Sequence, residues 1–257
     1  VLKDYSEVIV VTNPENAVEM PGIKVFAAAH PVPDQIGLMA GAAVIAALQR
    51  ASKVCRPILC LISGGGSALL PAPPEGISLS EKIELNSVLL SAGAKIKTMN
   101  LIRQQVSLLK GGGFLQYATP SPVKSLILSD VVEDDLRVVS SGLTTSPIGS
   151  REEARVALKC LGVWDRIPGS IQSLLQRADL AFESSKAKNT LIGSNKLSFE
   201  AMSAHLGWSS VHYTPLVGDV AVAAERVASS GRGIHLFGGE TTVKINGTGK
   251  GGRNQEL

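Results

Sequence analysis

The sequence predicts an α/β fold: a Rossmann-like parallel sheet with helices on both faces, followed by the start of a second α/β domain. Three observations carry this reading. Short aliphatic runs alternate with helical stretches along the whole chain, the pattern of strands joined by crossover helices. Two Ser-x-x-Glu capping boxes, Ser78 with Glu81 and Ser150 with Glu153, mark helix starts. Three apolar runs end in serine, glycine or acidic residues, at 63–67, 129–130 and 238–240. Strand ends of this kind are where parallel sheets bind ligands.

In chain order, 8–11 and 24–28 read as buried strands and 36–50 as an Ala-rich helix. A strand at 57–62 runs into SGGGS at 63–67, and PAPP at 71–74 is a stiff turn. Beyond Ser78, the residues Ile83, Val88, Leu89 and Ala92 follow near helical spacing. Residues 100–110 read as a helix stopped by Gly111, Gly112 and Gly113, 119–122 as a short loop, and 123–128 as a strand ending at Ser129 and Asp130. Strands are expected at 189–192, 210–213 and 234–237, and helices at 195–207 and 219–229. Asn246-Gly247 is a hairpin turn signal after a strand at 241–245. The strand after 229–233 opens a new Gly-rich region. Residues 1–230 are therefore expected to form the first domain and 231–257 the beginning of the second.

Composition sets the class. Of 257 residues, 44% are hydrophobic and 18% charged, a globular balance. No apolar run approaches the ~18–20 residues of a membrane helix, so no membrane span is expected. With a net charge of +3, no basic block and 4% aromatic residues, nucleic acid is not an expected partner. Cys55, Cys60 and Cys160 form no CxxC and are odd in number, which reads as a reduced protein without a zinc site. The chain opens at Val1 and closes at Leu257 straight after a Gly-rich segment. It reads as a fragment, so the lack of a targeting segment says nothing about its parent.

Ser63, Gly64, Gly65, Gly66 and Ser67 follow a strand, where glycine lets backbone N–H groups approach an anion; a tight turn that needs glycine is the plainer reading. Walker A and the GxSxG nucleophile elbow both fail on spelling. On a helix over 100–110, at about 100° per residue, Arg103, Ser107 and Lys110 share one narrow face with Asn100 at its edge. Gln104 and Gln105 lie off that face. Such a row suits carboxylate or phosphate recognition, or is simply a solvated face. Asp130 is the candidate Mg²⁺ ligand or hydroxyl-orienting acid, with a turn residue as the alternative. Glu133, Asp134 and Asp135 read as loop solvation. Gly247, Gly249 and Gly252 spell GxGxxG in the wrong context for a dinucleotide site. Lys250 and Arg253 sit among those glycines. His30, His205, His212 and His235 read as structural, with His30 at a strand end within reach of a ligand.

SGGGSALL (63–70), NLIRQQVSLLKGGG (100–113), LILSDVV (126–132) and GGETTVKINGTGKGGRNQEL (238–257), with HPVPD (30–34) and LIGSN (191–195), together resemble the glycerate 2-kinase family. The C-terminal region of that family is called MOFRL. The resemblance covers nearly the whole chain, and the spelling of LLPAP and LILSDVV is similar to the eukaryotic D-glycerate kinases. It implies two α/β domains with the active site between them. It also implies transfer of the ATP γ-phosphate to the 2-hydroxyl of D-glycerate, with ATP and Mg²⁺, in serine and fructose breakdown.

Mapped onto this chain, the resemblance implies that SGGGS and Lys110 cradle phosphates and that Arg103, with Asn100, holds the glycerate carboxylate. Asp130 or Glu240 would engage Mg²⁺ or the hydroxyl, with Glu240 and Lys250 in the nucleotide site. Arg253 would neutralise charge on the transferred group. The family's N-terminal Gly-Lys motif has no counterpart in this chain, which is expected to be inactive alone. Gln104 and Gln105, Glu133 and Leu143 stand where the family usually has Lys with a neighbour, Gly and Pro. The expected compartment is the cytoplasm, with the mitochondrion as alternative. The rival readings are a nucleotide-dependent oxidoreductase and a diverged anion-binding chain without turnover.

Overall fold

The structure, a computed structural model, describes residues 5–179, 187–208, 213–244 and 252–257. The chain forms two compact units, Val1–Leu128 with Asp135–Leu191, and Ser129–Asp134 with Ile192–Leu257. Mixed α/β architecture with parallel strand pairing is observed, as expected.

In the first unit, β1 (Ile9–Thr12) pairs in parallel with β2 (Lys24–Ala27), with Ile9 opposite Lys24. Helix α1 (Gln35–Lys53) starts at Asp34, whose carboxylate accepts from the Gly37 amide at 2.8 Å. Its buried edge carries Gly37, Ala40 and Gly41 because the 69–72 segment lies hard against it. A Cβ at Gly41 would stand 2.5 Å from the Pro71 carbonyl oxygen. Strand β3 (Ile58–Ile62) leads into the short α2 (Gly66–Leu69).

Then come α3 (Leu79–Ser91), α4 (Ile96–Gln105) and α5 (Gly113–Ala118). Strand β4 (Val123–Leu128) pairs in parallel with β3 from Ile58–Val123 to Ile62–Ile127. Helices α6 (Arg151–Cys160) and α7 (Gly169–Leu175) follow, and β5 (Lys188–Gly193) completes the sheet order β3-β4-β5. Both predicted capping boxes are formed, at Ser78 and Ser150.

The main core is helical. Leu85 and Leu89 of α3, Met99 and Ile102 of α4, Leu158 of α6 and Ile171 and Leu175 of α7 are buried together. Each large aliphatic side chain so buried contributes about 1.5–3 kcal/mol. Met99, Ile102 and Val106 turn one side of α4 into this core, which sets the direction in which Asn100, Arg103 and Gln104 point.

The second unit contains α8 (Asn195–His205), β6 (Leu216–Asp219), α9 (Val220–Ala228), β7 (Gly239–Thr242) and α10 (Arg253–Glu256). Strands β6 and β7 are parallel, with Leu216 opposite Gly239. The sequence boundary at 229–233 lies inside this unit, in the connection from α9 to β7. No described helix is long and apolar enough to cross a membrane.

Two expectations are corrected, and two more fall largely outside the described residues. The helix expected over 100–110 runs instead over Ile96–Gln105. It ends because Leu108 N–H turns away to donate to Ala72 O at 2.7 Å, while Val106 O is taken by the Lys82 ammonium at 2.6 Å. The strand expected at 234–237 is absent: 234–238 carry no regular structure, and Gly239-Glu240-Thr241-Thr242 is itself the strand. A Cβ at Gly239 would collide with the Leu216 backbone, so glycine is what lets β7 pair there. Of the strand expected at 210–213, residues 210–212 lie outside the described residues, as does the hairpin turn at Asn246-Gly247, and Tyr213 is not in a strand.

Candidate anion-binding site

The first unit gathers SGGGS, the 106–113 loop and Ser140–Ser141 into one polar group. Lys110 is only 5% exposed, and its Nζ donates to Ser67 O at 2.7 Å and Ser67 Oγ at 3.0 Å. Ser67 Oγ lies 2.9 Å from Ser141 Oγ, and the Ser141 hydroxyl donates to Asn100 Oδ1 at 2.6 Å. The Asn100 amide is buried and its nitrogen donates to Ile96 O at 3.0 Å, so it reaches the group only through Ser141. Ser140 Oγ donates to Ser63 O at 2.5 Å.

The glycines have specific work. Gly65 adopts φ +82°, which only glycine takes without strain, and turns the chain from β3 into α2. Gly66 has no room for a side chain: a Cβ would stand 2.5 Å from Ser140 Oγ. Among the described residues, the amides of Gly64 and Gly65 donate to no group, which leaves them to an exogenous acceptor. The exposed His30 imidazole lies beside Gly65.

Gly111 and Gly112 also take left-handed φ, at +56° and +83°, and their amides donate to Ser141 O at 3.0 Å and Gly142 O at 2.8 Å. What approaches these glycines is the protein's own backbone.

The predicted row of Arg103, Ser107 and Lys110 on one helix does not form, because Ser107 and Lys110 lie beyond the end of α4. Arg103 remains on α4, half-buried, with Nε donating to Asn86 Oδ1 at 2.7 Å. Its other two guanidinium nitrogens make no hydrogen bond among the described residues.

The sequence reading gave no site role to three residues. Gln104 is 4% exposed; its Nε2 donates to Arg137 O at 2.9 Å and Ser141 O at 3.1 Å, and its Oε1 accepts from Ile148 N–H at 2.8 Å. Gln105 donates to Gly149 O at 2.7 Å. Lys82 was also missed, although it sits in line with the core residues Leu85 and Leu89 on a capped helix, an unusual place for lysine.

The electrostatics are one-sided. Burial first, then the Arg103 charge, lowers the Lys82 pKa to about 7. Burial, then the charges of Lys82 and Arg103, pushes Lys110 well below the ordinary lysine value. Burial also lowers Arg103. Among the described residues none of the three has an ion-pair partner.

A cavity of about 790 Å³ reaches Ser63, Gly64, Gly66 and Ser140, a size within the range of small-molecule sites. The rest of its lining is mostly apolar and comes from β1, β3, α1 and the segments beside them, including Ile9, Val11, Leu59 and Leu61.

The second unit holds the remaining candidates. Asp130 is exposed just after β4. Glu240 on β7 accepts from Arg253, both partly exposed. Lys250 lies outside the described residues. Reading 133–135 as loop solvation is corrected for two residues: Asp134 accepts from Ser194 Oγ at 2.8 Å, and Asp135, in the first unit, pairs with Arg137 at 2.7 Å. Among the described residues no three His, Cys, Asp or Glu side chains gather as a metal site. The Cys60 thiol is raised to about 12 by burial, which makes it unreactive. His235 stacks on Phe237, and His212 lies outside the described residues.

Comparison with known proteins adds the following. Residues 1–176 match the family described as a domain of unknown function, DUF4147. The chain is 34% identical to a glycerate 2-kinase of Pyrococcus horikoshii, over 99% of this chain and 63% of that protein. It is 35% identical to the human glycerate kinase, over 78% and 49%. A crystal structure of glycerate kinase from Thermotoga maritima superposes with a TM-score of 0.83 at 30% identity, covering 99% of this chain and 64% of that one. A protein of Agrobacterium vitis, provisionally named a hydroxypyruvate reductase, is 31% identical over 97% and 69%. The chain thus spans about half to two thirds of the length of these relatives.

Proposed function

From the premise that this chain belongs to the glycerate 2-kinase family, we propose that the whole protein transfers the γ-phosphate of ATP to the 2-hydroxyl of D-glycerate, giving 2-phosphoglycerate and ADP. The observation that carries the reading is the Lys110 ammonium docked on Ser67, at the end of a loop whose Gly64 and Gly65 amides have no acceptor among the described residues. Free amides beside a cation fit a phosphoryl group, and phosphoryl transfer depends mainly on positioning and charge.

In this reading Ser63, Gly64, Gly65, Gly66 and Ser67 with Lys110 hold phosphate oxygens. Arg103, with two guanidinium nitrogens that bond nothing among the described residues, holds the glycerate carboxylate, and Asn100 positions Ser141. Arg253, Glu240 and Lys250 act on the nucleotide side. Asp130, exposed and without a described partner, orients the acceptor hydroxyl or supplies one carboxylate to Mg²⁺, which is commonly held by one or two carboxylates plus phosphates. Bound Mg²⁺ would neutralise charge on the phosphates. Residues 231–257 are the start of the MOFRL domain, and the compartment is the cytoplasm. Because the relatives are longer than this chain, we infer little turnover by the 257 residues alone.

The test is formation of 2-phosphoglycerate from ATP and D-glycerate by the whole protein, with the product position assigned by phosphorus NMR. Phosphorylation at the 3-hydroxyl would refute the regiochemistry. The reductase name of one relative supports a second reading; oxidation of reduced nicotinamide with hydroxypyruvate, and no phosphorylation, would establish it instead.

A further inference from the structure

The structure assigns Lys82 to the site as a third cation, which makes the Lys82–Arg103–Lys110 group a receptor for a phosphate dianion rather than for a carboxylate alone. The inference rests on the reading of this region as the anion site of a phosphoryl-transfer enzyme.

The geometry joins the three residues through one short stretch of chain. Lys82 and Asn86 stand one turn apart on α3 and both face α4 and its end. Asn86 holds Arg103 Nε at 2.7 Å, and Lys82 holds Val106 O at 2.6 Å, where α4 stops and the loop to Lys110 begins. Lys110 in turn sits on Ser67. Lys82 therefore fixes the point where the loop to Lys110 begins, one turn along α3 from the Asn86 that holds Arg103, and is a positioning residue as well as a charge.

Lys82 and Lys110 are 7% and 5% exposed, and no carboxylate among the described residues pairs with any of the three. Burying like charges without a counter-charge is unfavourable unless they are neutral or a ligand supplies it. A carboxylate monoanion compensates one charge, whereas a terminal phosphate supplies close to two near neutral pH. The depressed lysine pKa values support the same picture: without ligand the group sheds protons, and a dianion draws them back.

The test is calorimetry on the 257-residue chain at pH 8, in two buffers of different ionisation enthalpy. The probes are inorganic phosphate, 2-phosphoglycerate, ATP and D-glycerate. Phosphate is expected to bind with net proton uptake. Lys82→Met should weaken phosphate about tenfold or more, as loss of a charge-assisted interaction implies. Lys82→Arg should restore most of that loss, and D-glycerate should change less than phosphate.

Binding of 2-phosphoglycerate or ATP in preference to phosphate would identify which phosphate ester the site serves and would support the proposal. Absence of phosphate binding, binding without proton uptake, or equal affinity in Lys82→Met overturns it. Should Lys82→Met fail to fold, Lys82→Gln takes its place, and phosphate affinity equal to that of the unsubstituted chain overturns the proposal. Failure of the kinase reading shows differently, as absent turnover in the whole protein with phosphate binding intact.

Discussion

The ammonium of Lys110 donates to both the carbonyl oxygen and the hydroxyl of Ser67, at 2.7 and 3.0 Å, across 43 residues of chain. Two glycine-rich motifs are thereby joined at one point. Replacing Lys110 by Met keeps the length but leaves Ser67 O without its donor, at a cost of about 1–3 kcal/mol for a buried acceptor. Removal of a buried like charge offsets part of this. Urea denaturation should therefore show a stability change of about 2 kcal/mol or less, while phosphate binding is lost. Retained phosphate affinity would remove Lys110 from the site.

Gln104, predicted to lie off the functional face, is the residue that ties α4 to Arg137, Ser141 and Ile148. Gln104→Leu leaves Arg137 O and Ile148 N–H without a partner, while Ser141 O keeps the Gly111 amide, and we expect a loss of about 2 kcal/mol or more. Gln105→Ala removes a single bond to Gly149 O and should cost about 1 kcal/mol. Chemical denaturation of both variants checks the order; equal effects would contradict it.

Gly66→Ala forces a Cβ into the Ser140 hydroxyl, which holds Ser63 O. The variant should lose about 1–3 kcal/mol, as overpacking does, and should bind phosphate more weakly. Ser140 itself sits at φ +49°. The double variant Gly66→Ala with Ser140→Gly should regain stability by relieving both the clash and the left-handed strain, but not the lost hydroxyl contact.

Lys82 sets a pH dependence. Its pKa is about 7 in the folded chain against 10.5 ordinarily. Between these values the unfolded chain binds a proton that the folded chain does not. Stability therefore rises with pH from about 7 towards 10, by up to about 1.4 kcal/mol per pH unit for one such group. Lys110 is shifted in the same direction and adds to the rise. Urea midpoints from pH 7 to 10 should climb, and Lys82→Met should flatten the climb. A falling midpoint would contradict the burial of these amines.

Arg253 pairs with Glu240 in a partly exposed ion pair, with side chains 49% and 38% exposed. Such pairs contribute about 0–1 kcal/mol. Arg253→Lys in the whole protein should leave its melting temperature nearly unchanged. It should lower kcat about 10²-fold or more, with a smaller change in the KM for ATP, as loss of charge stabilisation in the transition state does. An intact kcat with a lowered melting temperature would make Arg253 structural.

The sequence by itself determined the alternation of strands and helices, both capping boxes and the glycine-rich loop after β3. Each depends on residues within a few positions of one another: the period of apolar side chains, a Ser three residues before a Glu, a glycine needed for a left-handed turn. Only the tertiary structure decided where α4 ends. Helical periodicity continues through Leu109, but the Leu108 amide finds Ala72 and the Val106 carbonyl finds Lys82. These distant partners outbid the next helical turn.

The same holds for the site. Lys82 lies in no motif and Gln104 lies off the face that its motif was read for, since their meaning depends on which backbone groups the folded chain sets before them. The glycines after Lys110 were legible as a helix stop, but not that Ser141 and Gly142 of the same chain would accept from their amides. Short-range pattern encodes the elements. Hydrogen bonds between residues dozens of positions apart, formed because buried polar groups must be satisfied, decide how those elements end and which cations they bring together.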